Sequence, residues 1–223
     1  MKIQVWLDIM CPFCYLGEQN LKNAIADYKG NDDINIEFKA FQLNPTQEKK
    51  ANPDNPIVYT VKKGLDETRV RSSFQHIVNE AKQLDLPIDI ENAKVVNSLD
   101  VLRLVKFAQH LGKENEIVDA LFRAYFAEGI DLSDRKNIFT IAKKVGLDED
   151  NVSAFLESDQ YIKEVNEDRN QGIVKGLQGV PFFVIDDKYT LSGNQTKENF
   201  IRTFNQIGDI NEAESCRIDS NNC

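Results

Sequence analysis

Lys2-Ile3-Gln4-Val5-Trp6-Leu7-Asp8-Ile9-Met10-Cys11-Pro12-Phe13-Cys14 opens the chain, and its reading decides the rest. Residues 2–9 alternate, with Ile3, Val5, Leu7 and Ile9 on one side, which is the period of a strand. From Leu21 the apolar residues recur at Leu21, Ala24, Ile25 and Tyr28, a helical i, i+3, i+4, i+7 stripe. Cys11 therefore falls at or just before a helix N-terminus, where unpaired N–H groups and the helix dipole favour an anion. The thiolate is the form of cysteine that attacks a disulfide, and such a position lowers a cysteine's pKa. Cys14, one turn on, is placed to reach back and release a mixed disulfide. The spacing predicts thiol–disulfide exchange, with Cys11 the exposed, acidified thiol and Cys14 shielded.

Two duller readings of the same four residues compete. Half of a zinc site would need further N or S ligands, and the remaining candidates are Cys216, Cys223, His76 and His110, with no second CxxC or HxxxH among them. We therefore assign no metal. Two unreactive cysteines that merely lie three apart would not need a strand-to-helix junction, which the redox motif does. His76 and His110 sit in helical stretches without a motif and read as structural. Asp8 has two readings, an acceptor or electrostatic role near Cys11 and, the duller one, a cap on the strand-to-helix loop.

The chain has 223 residues, enough to bury a substantial core as one large domain or a domain with an insertion. With 27 basic against 36 acidic side chains it carries a net charge of −9 and no basic run, which argues against nucleic acid or an anionic membrane as partner. No apolar stretch approaches the length of a membrane span. The N-terminus enters the strand directly, without the apolar core of a signal peptide, so a cytoplasmic location is expected. In that compartment cysteine pairs tend to be catalytic rather than structural.

Ile34, Ile36, Phe38 and Ala40 alternate as a second strand, completing strand–helix–strand. From about Val58 to Ser158 the pattern is helical. Stripes run through Phe74, Ile77, Val78 and Ala81, then Leu99, Leu102, Val105 and Ala108, then Val118, Leu121, Phe122, Tyr125 and Phe126 up to Gly129. Ser133-Asp134 starts a further helix to Val145, and Asp148–Leu156 gives a short one. Strand signals return at Val180–Ile185 and Lys188–Leu191 around an Asp186-Asp187 turn, and Thr196 caps a last helix carrying Phe200, Phe204 and Ile207. The order βαβ, helices, ββα reads as an α/β fold whose sheet is interrupted by an all-helical insertion. Residues 1–45 and 159–208 form the discontinuous sheet domain and 58–158 the insertion. Residues 209–223 form an irregular polar tail that carries Cys216 and Cys223.

Several stretches resemble the thioredoxin superfamily, and more narrowly DsbA-like proteins of the FrnE type. Their relatives include 2-hydroxychromene-2-carboxylate isomerase and kappa-class glutathione transferases. The matching stretches are residues 8–17 (DIMCPFCYLG), 41–45 (FQLNP), 121–126 (LFRAYF), 145–148 (VGLD), 176–185 (GLQGVPFFVI) and 192–195 (SGNQ). The resemblance implies a thioredoxin fold with a large helical insertion, Cys11 as nucleophile, Cys14 as resolving thiol, and a cis Val180–Pro181 bond facing them. Pro181 joins the cysteines as a catalytic residue, and Val180, Pro12 and Phe13 contact substrate. Leu102 departs from the histidine of many relatives, and Asn194 from the usual small residue before Gln195. Some relatives also carry a C-terminal cysteine pair, which makes Cys216 and Cys223 a candidate second redox pair. Ordinary thiols on a frayed terminus are the alternative.

The leading expectation is a thiol–disulfide oxidoreductase whose partners are protein disulfides or a small-thiol redox partner. No tightly bound cofactor is expected, and glutathione is a candidate co-substrate. The alternatives are a glutathione-dependent transferase or isomerase of the kappa or 2-hydroxychromene-2-carboxylate type, and a non-enzymatic, chaperone-like binding protein. The isomerase and transferase branches carry serine at the first cysteine, so Cys11 and Cys14 favour redox chemistry.

Overall fold

A computed structural model of the protein describes residues 1–30 and 33–219, with side chains up to residue 208. The opening stretch forms β1 (Lys2–Leu7) and leads through α1 (Pro12–Asp27) into β2 (Asn35–Ala40). The helical span then supplies α2 (Pro56–Lys62), α3 (Glu67–Gln83), α4 (Leu99–Gln109), α5 (Glu114–Phe122), α6 (Arg135–Lys144) and α7 (Glu149–Leu156). After α8 (Ile162–Val174), β3 (Phe182–Ile185) and β4 (Tyr189–Ser192) complete the sheet, and α9 (Lys197–Asp219) closes the described chain. Asn55, Asp66, Asp134 and Asp148 accept hydrogen bonds from the backbone N–H of Val58, Arg69, Lys136 and Asn151, and so start α2, α3, α6 and α7.

The sheet order is β2-β1-β3-β4. β1 runs parallel to β2 and antiparallel to β3, with Val5 opposite Phe38 on one side and Phe183 on the other. The parallel pair needs a crossover, which α1 provides. Strands from opposite ends of the sequence thus meet on β1, as the thioredoxin-fold expectation requires. The hairpin between β3 and β4 turns at Asp186 and Asp187, both at positive φ (48° and 56°), a backbone that Asp tolerates better than most residues.

The period-2 pattern of β1 divides the core. Ile3, Val5 and Leu7 pack in one cluster with Leu21 and Ala24 of α1 and Phe200, Phe204 and Ile207 of α9. On the other face Trp6 packs with Leu177, Phe182 and Val184, and its indole N–H donates to the carbonyl of Asp168 in α8 at 2.6 Å. The insertion is tied to α1 by Tyr15, whose ring stacks on Phe122 and Phe126 at 5.2 and 5.6 Å between centroids.

The structure departs from the sequence reading in four places. α8 has no counterpart in the sequence pattern, because its buried residues include Asp168 and Gly172, so its inner face carries no apolar stripe. The stripe Val118–Phe126 is not one regular helix. Arg123–Ala127 forms a widened π turn in which Glu128 N–H donates to Arg123 O, and both Tyr125 and Phe126 are buried. β3 begins at Phe182, two residues later than expected, since Pro181 has no N–H for the ladder. The stretch from residue 209, read as irregular, continues α9 to Asp219; it contains neither Pro nor Gly to stop the helix. The side chain of Cys216 and all of Cys223 lie outside the described residues.

Candidate active site

Cys11 is the N-cap of α1, with extended backbone (φ −92°, ψ 113°) and Pro12 at the first helical position. Proline suits that position because its missing N–H would be unpaired there anyway. The Cys11 carbonyl accepts the N–H of Cys14 at 3.0 Å and of Tyr15 at 3.4 Å, and the Cys11 N–H donates back to Asp8 O at 3.0 Å. One loop therefore converts strand to helix and sets both sulfurs on the first turn. Cys11 and Cys14 are free thiols.

The expectation of an exposed Cys11 needs correction. It is 6% exposed and Cys14 1%, so Cys11 is the more accessible of two largely covered sulfurs. The cover comes from the Val180–Pro181 segment: the bond between them is cis, and the Cys11 thiol donates to the Val180 carbonyl at 3.6 Å, a normal length for sulfur. Pro181 is buried, Val180 and Pro12 are half-buried, and Phe13 stands 39% exposed beside the dithiol. The approach of Pro181 depends on Gly17. A Cβ there would lie 3.1 Å from Pro181 Cγ and 3.3 Å from Phe183 Cζ.

Burial pushes the Cys14 thiol well above its usual range, and the hydrogen bond and negative charge of Cys11 add to this. Asp8 adds a smaller push of the same sign through its charge. The Asp8 carboxylate is buried and accepts from Met10 N–H (3.1 Å), Leu43 N–H (2.8 Å) and the Ser98 hydroxyl (3.0 Å). It therefore pins β1, the loop after β2 and the start of α4 behind the dithiol, joining the two readings of Asp8, as a loop cap and as a charge near the dithiol, in one carboxylate. Burial raises its pKa against the pull of those three donors.

Other residues from the sequence reading fall elsewhere. His76 pairs with Glu80 and His110 with Glu164, both at the surface. Leu102 is fully buried in α4 and makes up part of the core. Asn194 bridges the two parts of the molecule, donating to Glu80 of α3 at 2.9 Å and accepting from Asn20 of α1 at 3.4 Å. Among the described residues no cluster of His, Cys, Asp and Glu is arranged to hold a metal ion. No helix among them is long and apolar enough to cross a membrane. The sequence gives no role to Ser98, or to Gly17 at the end of the matching stretch 8–17, because each matters only through a partner distant along the chain.

A sheet of this order, with a dithiol at the N-cap of α1 and a cis-proline loop against it, defines a thioredoxin-fold protein. The chain belongs to the DSBA-like thioredoxin domain family, which it matches over residues 2–205. Among solved structures it is similar to a probable DsbA oxidoreductase from Streptomyces coelicolor (28% identity, TM-score 0.86, 92% of this chain and 89% of that one). Two others share the fold. One is 2-hydroxychromene-2-carboxylate isomerase (18% identity, TM-score 0.70, all of both chains). The other is the cytosolic disulfide reductase DsbM from Pseudomonas aeruginosa (16%, TM-score 0.67, 94% of this chain and 100% of that one), which also has a structure with glutathione.

Proposed function

We propose that the protein is a thiol–disulfide oxidoreductase that acts on protein disulfides through Cys11 and Cys14. One observation carries this reading: Cys11 caps α1 beside the Val180 carbonyl, with Cys14 buried one turn behind it. In the reducing direction the Cys11 thiolate attacks one sulfur of the substrate disulfide. A mixed disulfide forms and the other substrate sulfur leaves as a thiolate. Cys14 then gives up its proton and attacks Cys11 Sγ, so that the Cys11–Cys14 bond forms and the second substrate thiolate departs. Two electrons pass to the substrate; run backwards, the same steps oxidise a dithiol. Because its pKa is raised, Cys14 stays protonated until a mixed disulfide stands next to it. Val180 and Pro181 line the approach to Cys11, and Pro12 and Phe13 give it an apolar rim.

The exchange needs no tightly bound cofactor. Glutathione is the proposed co-substrate, two molecules reducing the Cys11–Cys14 bond in two successive exchanges. The likeness to a reductase that has a structure with glutathione supports this, and its description as cytosolic supports the same setting here. A glutathione-dependent isomerase or transferase is the second reading, favoured by the full-length likeness to the isomerase. Cys14→Ser separates the two. Dithiol exchange loses turnover and accumulates a mixed disulfide on Cys11, whereas monothiol chemistry continues. Equilibration of the pair with glutathione gives the direction, a potential of about −270 mV marking a reductase and about −120 mV an oxidant.

A further inference from the structure

Beside the dithiol runs a cleft that the exchange itself does not use. Its inner compartment, about 130 Å³, is bounded by Met10, Leu43, Val95, Val96 and Tyr125, with Asp8 also in its wall. Met10 immediately precedes Cys11 in the chain, so this compartment adjoins the turn that carries the reacting sulfur. An outer compartment of about 610 Å³ is bounded by Asn44, Gln47, Lys50, Asn52, Tyr59 and Lys63. Asn44, Gln47 and Tyr59 line both. They are bonded to one another, the Tyr59 hydroxyl donating to Gln47 Oε1 at 2.9 Å and accepting from Asn44 Nδ2 at 3.3 Å.

The charge at the outer mouth runs against that of the molecule. The chain carries −9, yet this lining holds Lys50 and Lys63 against a single acid, Glu48. Three cations nearby are paired, Lys62 with Asp54, Lys94 with Asp131 and Arg135 with Glu157, whereas Lys49, beside Lys50 in the chain, adds a further positive charge. Among the described residues Lys50 has no ion pair, and Lys63 sits only over the Tyr59 ring, 5.2 Å from its centroid. Free positive charge held at one cleft of an acidic protein attracts a negatively charged partner.

We propose that the substrates are polypeptide disulfides in which an apolar residue beside the cysteine enters the inner compartment and an acidic residue beyond it meets Lys50 and Lys63. The proposal rests on the oxidoreductase reading and narrows its substrate class. Asn44, Gln47 and Tyr59 border both compartments, so one extended chain, advancing about 3.3 Å per residue, is the ligand shape that can engage both. Glutathione has carboxylates for the lysines but no apolar side chain for the inner space, and the two-part lining therefore favours a polypeptide.

The test measures initial rates of the full chain, its Cys11–Cys14 bond re-reduced by dithiothreitol in every arm and the uncatalysed rate subtracted, on peptide disulfides that differ only beside the cysteine: Cys-Leu-Asp, Cys-Leu-Lys and Cys-Gly-Asp, each also in reversed order. Oxidised glutathione is run in parallel. The acidic peptide should show a KM about two- to fivefold below that of the basic one, the range expected for exposed charge pairs. The preference should shrink at high salt and invert in Lys50→Glu/Lys63→Glu, whose exposed side chains leave the core untouched. Replacing leucine by glycine should raise KM severalfold in both proteins. Peptides turned over with equal KM whatever their charge would overturn the proposal while leaving the oxidoreductase standing. A lower KM for oxidised glutathione with the same lysine dependence would assign the cleft to a small acidic thiol and overturn the polypeptide. If no disulfide is turned over and Cys14→Ser traps no adduct, the oxidoreductase reading fails and this proposal with it.

Discussion

Cys11 and Cys14 share one helical turn and differ in burial by only a few per cent, yet their surroundings differ in kind. Cys11 faces the Val180 carbonyl, while Cys14 is enclosed and lies within the field of Asp8. Limited alkylation with peptide mapping should therefore label Cys11 first. Asp8 adds negative charge near Cys14, and like charge disfavours a thiolate. In a Cys11→Ser background, Asp8→Asn should move the pH profile of Cys14 alkylation to lower pH. An unmoved profile, or one shifted upward, would remove Asp8 from the electrostatics of the resolving thiol. The place of Cys11 at the helix start could be read from the sequence because cap, proline and stripe are all local. Its cover could not, since the Val180 loop arrives from the far end of the chain, and the Ser98 partner of Asp8 lies 90 residues away.

Helices α1 and α8 show which elements a pattern discloses. α1 was legible from its apolar stripe, although that stripe says nothing of Glu18, a buried acid on the same helix. Burial raises the Glu18 pKa to about 7, against the pull of Lys22, which contacts both Glu18 and Asp119. An acid whose folded pKa lies above its unfolded value favours folding only while protonated. That advantage fades as pH rises from about 4.5 and is gone above about 7. Glu18→Gln should thus match the parent near pH 4 and exceed it by about 1–3 kcal/mol at pH 8, as read by urea unfolding at the two pH values. Lower stability at pH 8 would show that the ion pair with Lys22 outweighs burial. α8 was invisible because it meets the sheet through close approach. A Cβ on Gly172 would come within 2.7 Å of Trp6 Nε1, an indole held by the carbonyl of Asp168. Gly172→Ala therefore sets a helix-propensity gain of about 1 kcal/mol against overpacking of about 1–3 kcal/mol. Because the contact is with a fully buried indole, we expect net destabilisation and altered Trp6 fluorescence. A more stable variant with unchanged emission would mean that α8 shifts freely.

At the scale of the molecule, the two-part sheet and the inserted helices could be read from the order of periods along the chain, βαβ, helices, ββα. Beside the aromatic stack of Tyr15, one fastening could not, because it is charged, and a buried charge looks like a surface residue in sequence. Asp168 of α8 is 4% exposed. It accepts the Ala40 N–H of β2 at 3.0 Å and pairs with Lys39 of β2 at 3.3 Å and Lys106 of α4 at 2.8 Å. One carboxylate thus joins sheet, insertion and covering helix. The two lysines depend on it unequally, since Lys39 also pairs with Glu37 whereas Lys106 has no second carboxylate within ion-pair distance among the described residues, only the longer-range charge of Glu114. Asp168→Asn keeps an acceptor for Ala40 but leaves Lys106 buried and unpaired, which should cost about 3–5 kcal/mol. If an orphaned charge is the cause, removing it should repair the damage. Asp168→Asn/Lys106→Met should recover most of the loss in guanidinium unfolding, since an apolar side chain of similar length replaces the stranded ammonium. A double variant no more stable than Asp168→Asn alone would place the damage in geometry. The joint would then hold through the fixed hydrogen bonds of the carboxylate to β2 rather than through charge.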